Sequence, residues 1–272
     1  MKLEFVITKN TTIKEFIYTN ISRNFYGYLK ERNAVFYIDG NMKKAYEEVF
    51  ANQTLLIEYE EINEQVGSYS ELPLDIIYED NEYIVVDKKM GLQSIPSKAN
   101  PYDSVFNRLL YYFKDTNNTV NIVNRLDKDT SGLMLIAKSN YARIILDDFN
   151  KVYYATTDKP LNTNKGTIDL AIARSDEGIK RNVDLVNGQK AITNYELIES
   201  KDDLYTYKII LETGRTHQIR VHFSYLNSPL INDNLYGGSK IDDKVMGLVC
   251  KSISFTNKIT KVKIELESKI KV

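Results

Sequence analysis

The chain has 272 residues, 43% of them hydrophobic and 27% charged, with a net charge of −1. That length carries one large domain, or a medium domain with a small partner, and the apolar fraction supplies a real core. The charge balance excludes a globally basic nucleic-acid binder, so any RNA surface has to be a local patch.

Residues 2–7 (KLEFVI) alternate and predict a strand. A short helix from Ile13 to Tyr18 follows Thr11 and Thr12. Ser22 is placed to cap a second helix, Arg23 to Arg32, with Phe25 and Leu29 on one face. Ala34 to Ile38 predicts a strand, Asp39-Gly40 a tight turn, and Thr54 to Tyr59 another strand. Residues 1–64 thus read as a small α/β domain over which Arg23, Lys30, Arg32, Lys43 and Lys44 scatter positive charge. Residues 65–73 (QVGSYSELP) read as a linker.

Residues 74–272 read as a second, larger domain. Asp75 to Tyr78 and Tyr83 to Val86 form a strand pair around an acidic turn. Asn100-Pro101 looks like the start of a helix from Tyr102 to Phe113. Ser139 caps a helix whose buried face carries Ala142, Ile145, Leu146 and Phe149. Strands are expected at Lys151 to Ala155, Gly166 to Ile172, Ala191 to Ile198 and Tyr205 to Thr213. A helix capped by Thr216 carries Ile219, His222, Phe223 and Leu226 at helical spacing, and Ser252 to Phe255 with Lys261 to Leu266 close a hairpin. Strands dominate and no strand–helix alternation repeats. The pattern points to an α+β fold with a mixed, mostly antiparallel sheet and flanking helices.

Other chemistries drop out on residue counts. One cysteine, Cys250, excludes an internal disulfide framework and a cysteine-rich metal site, and is expected as a buried small apolar residue. The two histidines, His217 and His222, lie five apart, not at the four-residue spacing of a helical zinc pair. There is no G-x-S-x-G, no P-loop and no dinucleotide glycine fingerprint. No run of about 18 apolar residues exists to cross a membrane, and the N-terminus lacks the apolar core of a signal peptide. A reduced, cytoplasmic, soluble protein without a metal is expected.

One stretch stands out. Residues 124–132 read NRLDKDTSG and run directly into the apolar Leu133 to Ala137. That is how a loop carrying chemistry is mounted on a buried strand; it is also how a solvated charged turn looks. Asp127 lies two residues after Arg125 and two before Asp129. A neighbouring arginine favours the ionised carboxylate, which can serve as nucleophile or base. Arginine and tyrosine around it suit a ligand with phosphates and a planar base. An ordinary ion pair explains the same residues equally well.

The stretch resembles the central motif of the RluA-like pseudouridine synthases, H-R-L-D-x-x-T-S-G before an apolar strand. Lys151 to Ala155 (KVYYA) resembles that family's K-x-Y-x-A block, and Gly214 to His222 (GRTHQIRVH) matches its third block letter for letter. Ile231 to Gly237, with Asp233 and Leu235-Tyr236-Gly237, resembles the segment after it. Asp75 to Leu92 resembles the opening Y-E-D … K-P-x-G stretch. The blocks come in family order over residues 74–266, and the N-terminal unit loosely resembles a degenerate alpha-L RNA-binding domain, or else a fold-completing unit with little RNA contact.

The resemblance implies an enzyme that detaches uracil from its ribose, rotates it and rejoins it through carbon, without cofactor or metal. It places the catalytic aspartate at Asp127, the active-site tyrosine at Tyr153 and the basic partner of the aspartate at Arg220. Arg125 falls on the arginine that takes the place of the extruded base. Arg215, Thr130 and Lys151 complete the expected substrate-contacting set. Tyr153 is expected to stack on the base and to help in proton removal; whether Asp127 attacks the anomeric carbon or removes a sugar proton stays open. Expected partners are RNA, ribosomal more than transfer, with no membrane, on a monomer. A catalytically silent RNA-binding or ribosome-assembly factor is the alternative. The sequence departs from the pattern in three places: Asn124 replaces the histidine before the arginine, Lys89 replaces the proline, and a histidine near Leu248 to Cys250 is missing.

Overall fold

The computed structural model describes residues 1–61, 65–175, 178–242 and 244–271. The N-terminal residues build a four-stranded antiparallel sheet in the order Lys2–Val6, Thr54–Glu58, Val35–Ile38, Asn41–Lys43. Two helices, Ile13–Asn20 and Arg23–Glu31, pack on it. Their starts follow from side-chain caps. Thr12 accepts a hydrogen bond from the Glu15 amide and Ser22 one from the Phe25 amide, which satisfies donors a helix start leaves free. Ile7, Ile13, Ile17, Phe25, Leu29, Leu55 and Ile57 form the core, and Tyr141 and Ile145, from further along the chain, complete it. The Phe25 and Tyr141 rings lie 5.2 Å apart. The N-terminal unit therefore buries part of its apolar face against the larger one.

Residues 65–73 are not free chain. The Ser70 hydroxyl donates to Asp103, the Ser70 amide to the Asn107 carbonyl, and Asn107 Nδ2 to the Ser68 carbonyl. These bonds lace the segment onto the helix Val105–Tyr112.

The larger unit is α+β, as the sequence pattern indicates. Its sheet runs Lys165–Asp169, Ile192–Lys201, Leu204–Leu211, Leu146–Thr157, Leu248–Asn257, Ser131–Ala137, Tyr83–Lys88, Ile76–Glu79, with Lys263–Glu267 and Asn121–Ile122 pairing to the side. Within this ten-stranded sheet one pairing is parallel, Ser131 and Gly132 beside Val249 and Cys250; the others are antiparallel. The strand Ser131–Ala137 is buried at every position, as a central strand's apolar run requires.

At that seam one register row crosses the sheet: Lys88, Gly132, Cys250, Tyr153 and Ile209 stand side by side on successive strands. Gly132 has φ +106°, and a Cβ there would run into the Cys250 backbone. Only glycine combines that backbone angle with that approach. The motif's glycine thus holds two strands together rather than loosening a loop. Cys250 is fully buried, and burial pushes its thiol up to about 12, so it behaves as a small apolar residue.

The strand expected at Gly166 to Ile172 divides into Lys165–Asp169 of the large sheet and Ile172–Arg174 of a separate hairpin, and three helix expectations change. The third helix starts at Val105 under a Ser104 cap, not at Asn100-Pro101. Asn100 spends its side chain on a turn with Asp103. The helix after Ser139 ends at Ile144, and Leu146 already opens the long strand Leu146–Thr157. Asp148, at φ +48°, lies in a bulge of that strand, a conformation no helix contains. The fifth helix, Gln218–Tyr225, has left-handed His217 at its start instead of a Thr216 cap.

Candidate active site

The loop of residues 124–130 rises from the start of the central strand and is tied down at several atoms. Asn124 is buried; its Oδ1 accepts from the Leu135 amide at 2.8 Å and its Nδ2 donates to the Leu133 carbonyl at 3.1 Å. The residue that departs from the resembled pattern is therefore a strand brace, with both ends of its amide engaged by the backbone of the strand that follows. The Ser94 hydroxyl donates to the Leu126 carbonyl at 2.6 Å and accepts from the Leu126 amide at 2.9 Å. The Thr130 amide closes the turn on the Asp127 carbonyl. Ser131 lies in the strand with its hydroxyl 3.4 Å from the Leu248 carbonyl.

Lys88 clamps the loop from below. Its side chain is 1% exposed, and Nζ donates to the carbonyls of Leu92 at 2.8 Å, Lys128 at 3.1 Å and Lys89 at 3.2 Å. Three acceptors match the three hydrogens of an ammonium; a neutral amine has only two. Burial pulls Lys88 down to about 8, while Asp127 and Asp129 pull it upward. Activity that depends on this loop is therefore expected to fall as pH rises through about 8, roughly tenfold one unit above it. Stability behaves oppositely. The folded value lies below the unfolded 10.5, so the folded chain binds fewer protons between about 8 and 10.5, and this group alone makes the fold more stable as pH rises there. Rates and melting temperatures measured from pH 7 to 9.5 separate the two, and a flat rate profile would remove Lys88 from the site.

Above the loop is a cavity of about 550 Å³. All seven residues singled out from the sequence line it: Asp127, Tyr153, Arg220, Arg125, Arg215, Thr130 and Lys151. Lys151 and Tyr153, two apart on one strand, share its wall, whereas Tyr154 does not line it, in keeping with the two-residue alternation of strands. Tyr153 is 6% exposed, and burial pushes its phenol well above its ordinary value. Burial thus favours the neutral phenol, which presents a ring and a hydroxyl. Arg125 is exposed at the rim and makes no ion pair or side-chain hydrogen bond among the described residues. The Thr130 hydroxyl is buried and has no partner among the described residues. Leaving such a group unsatisfied costs about 1–3 kcal/mol.

Arg220 does not pair with Asp127 as closely as expected. Its Nη1 lies 4.0 Å from Asp127 Oδ2. Its tight partner is Asp233: Nε donates to Oδ2 at 2.7 Å and Nη2 to Oδ1 at 2.8 Å, with the Asp233 side chain fully buried. This two-pronged bond fixes the guanidinium so that its remaining prong points at Asp127. Asp233 Oδ1 also accepts from the Leu235 and Tyr236 amides. His217 Nε2 reaches the same Asp127 oxygen at 3.9 Å, so a histidine not among the candidate site residues stands at the aspartate. His222 is packed away, hydrogen-bonded to Thr193 Oγ1 and the Leu170 carbonyl. Asp129 is absent from the cavity lining.

Asp233, Ser94 and Lys88 are the groups the sequence did not single out. Asp233 lay inside a recognised block, but nothing in its spacing marked it as Arg220's partner. Ser94 and Lys88 act on backbone carbonyls, which leave no trace in sequence. What the arrangement offers is one carboxylate at a cavity mouth, faced by a fixed cation and a histidine, with an aromatic wall and free arginine at the rim.

Residues 82–225 match the family model described as RNA pseudouridylate synthase. The chain is 39% identical over 197 residues to the uncharacterized RNA pseudouridine synthase YjbO of Bacillus subtilis (strain 168), covering 70% of each chain. It is 34% identical over 261 residues to ribosomal large subunit pseudouridine synthase D of Borreliella burgdorferi, covering 87% of this chain and 79% of the relative. Its fold is similar to that of human RNA pseudouridylate synthase domain containing 1, with a TM-score of 0.58 and 20% identity over 75% of this chain and 86% of the other.

Proposed function

Since the chain belongs to the RNA pseudouridylate synthase family, we propose that it isomerises a specific uridine of ribosomal RNA with Asp127 as the catalytic residue. The observation that carries the assignment of Asp127 is the convergence of Arg220 and His217 on one oxygen of its carboxylate at the mouth of the cavity. The choice of ribosomal over transfer RNA rests on the similarity to proteins named as ribosomal large subunit enzymes. The cytoplasm is the compartment in which that substrate would be met.

The reaction balances within the nucleotide. The bond from C1′ to N1 breaks, one from C1′ to C5 forms, the C5 proton leaves and N1 gains a proton. Asp127 acts at the sugar, on the anomeric carbon or on the neighbouring proton; both routes need the carboxylate held towards the ribose. Arg220 orients it, and Tyr153 supplies a face for the detached base. The target has to leave the RNA stack to enter the cavity, and Arg125 at the rim is placed to fill the space it vacates. Thr130 and Lys151 contact the bound nucleotide. A second cavity of about 430 Å³, lined by Arg174, Arg181 and Arg215, adjoins the first at Gly214–Thr216 and suits the phosphates of the flanking strand. Residues 1–64 serve as a unit docked on the catalytic one, residues 74–272.

A pseudouridine map of total RNA from wild-type and deletion strains tests the reading. One uridine of ribosomal RNA is expected to lose its modification and to regain it with the plasmid-borne gene. Loss in transfer RNA would overturn the substrate choice, and an unchanged map would favour a silent RNA-binding factor.

A further inference from the structure

Tyr236 stands between a hairpin and the aspartate. The hairpin pairs Ile172–Arg174 with Arg181–Val183. The Arg181 backbone N–H donates to Tyr236 Oη at 2.9 Å. The same oxygen lies 2.9 Å from His217 Nδ1. A phenol has one hydrogen. Its oxygen accepts from Arg181, and its hydrogen remains to be given. Nε2 of His217 faces the Asp127 carboxylate, where a proton is favoured over a bare lone pair, so Nδ1 is the nitrogen left to accept from Tyr236. A neutral imidazole that accepts at Nδ1 carries its own proton on Nε2. Nε2 is the atom that faces Asp127 Oδ2 at 3.9 Å.

Two further observations bear on the charge and orientation of the ring. Burial pulls His217 below its ordinary value, against the pull of Asp127, which keeps the ring neutral at pH 7. His217 itself has φ +58°, a left-handed backbone that costs a non-glycine residue about 1–2 kcal/mol. The conformation is retained where it turns the ring between Tyr236 and Asp127. The Tyr236 ring holds the assembly from the side, edge-on to His217 at 5.6 Å and under the Arg220 guanidinium at 5.1 Å.

We propose that Tyr236 and His217 form a positioning relay: the tyrosine hydroxyl fixes the histidine as an Nε2–H donor, and that donor holds the Asp127 carboxylate towards the ribose. The relay rests on the assignment of Asp127, but its first half is measurable without any catalysis. The gap of 3.9 Å closes when substrate draws the carboxylate in, as catalytic hydrogen bonds commonly tighten on binding. His217 is a positioning residue here and moves no proton.

The chain has two histidines, so nitrogen NMR of the histidine-labelled full chain reads both rings without crowding. At pH 7 His217 is expected to show a protonated Nε2 and a bare Nδ1. His222, whose Nε2 faces the Leu170 carbonyl and Nδ1 the Thr193 hydroxyl, should show the same pattern in every variant and serves as the internal standard. Tyr236→Phe keeps the ring and removes the hydroxyl; it should release His217 into a mixture of tautomers. With RNA substrate, kcat should fall about 10- to 100-fold in Tyr236→Phe and His217→Phe, the scale of a misplaced reacting group, with KM within threefold. His217→Gln, which can present an amide N–H at the same place, should recover part of the loss. A His217 ring protonated on Nδ1 or doubly protonated in the wild type at pH 7 overturns the relay, with or without a folded variant in hand. So does a Tyr236→Phe enzyme with unchanged tautomer and unchanged kcat. If the tautomer is right but Asp127→Asn stays active, the assignment of Asp127 fails and the relay's first half stands.

Discussion

Replacing Asp127 by asparagine is expected to lower pseudouridine formation by at least about 10⁴-fold, the scale seen when a group that acts on the reacting bonds is removed. The substitution preserves shape and alters charge at one position. Asp127 is about one-third exposed at its side chain, whose charged contacts among the described residues are loose, at 3.9 and 4.0 Å. The fold should therefore be unaffected, with a stability change within about 0.5 kcal/mol. Release of the uracil C5 hydrogen from labelled RNA reads the activity, and urea unfolding reads the fold. A variant that keeps a tenth of wild-type activity would end the assignment. RNA binding should persist, because the cations that meet phosphate remain.

The second large effect lies beneath the site. Asp233→Ala leaves the Arg220 guanidinium 3% exposed with no close carboxylate. Removing one partner of a buried ion pair costs about 3–5 kcal/mol, since the other charge stays behind without compensation. The amides of Leu235 and Tyr236 lose their acceptor as well. A shift of the urea midpoint equivalent to that loss is expected, together with a fall in activity as Arg220 swings away from Asp127. Arg220→Lys provides the contrast: the charge stays but the planar fork is gone, so activity should drop with a smaller loss of stability. An Asp233→Ala protein within 1 kcal/mol of wild type would show that the pair does not hold the site.

Much of the fold and of the site is legible in the sequence. The strand Ser131–Ala137 announces itself as an unbroken apolar run, and the caps Ser22 and Ser139 stand where a hydroxyl is needed. The seven candidate site residues share one cavity because they fall in blocks that recur together in a known family. What stayed hidden depends on contacts between distant segments. Helix period alone carried the helix after Ser139 too far, since apolar residues at 145, 146 and 149 fit a helix or a bulged strand equally well. Asn100 and Ser104 are both good caps, and only the Asn100–Asp103 turn decides between them. Asp233 is an ordinary turn residue until the fold carries it to Arg220. Lys88 looks like a surface lysine and is almost fully enclosed.

The close fit of Gly132 against Cys250 has a consequence for how the protein is made. The two residues are 118 positions apart, 250 − 132, yet their strands must pair before the loop that carries Asp127 has a fixed base. Loop closure over such a span is slow and costly in entropy. Asp87, beside the Lys88 clamp, is in turn held by Ser268 and Lys269. The active loop thus depends on contacts with residues far along the chain. During synthesis the carboxylate therefore has no fixed base until the strand Leu248–Asn257 and residues 268 and 269 have been added.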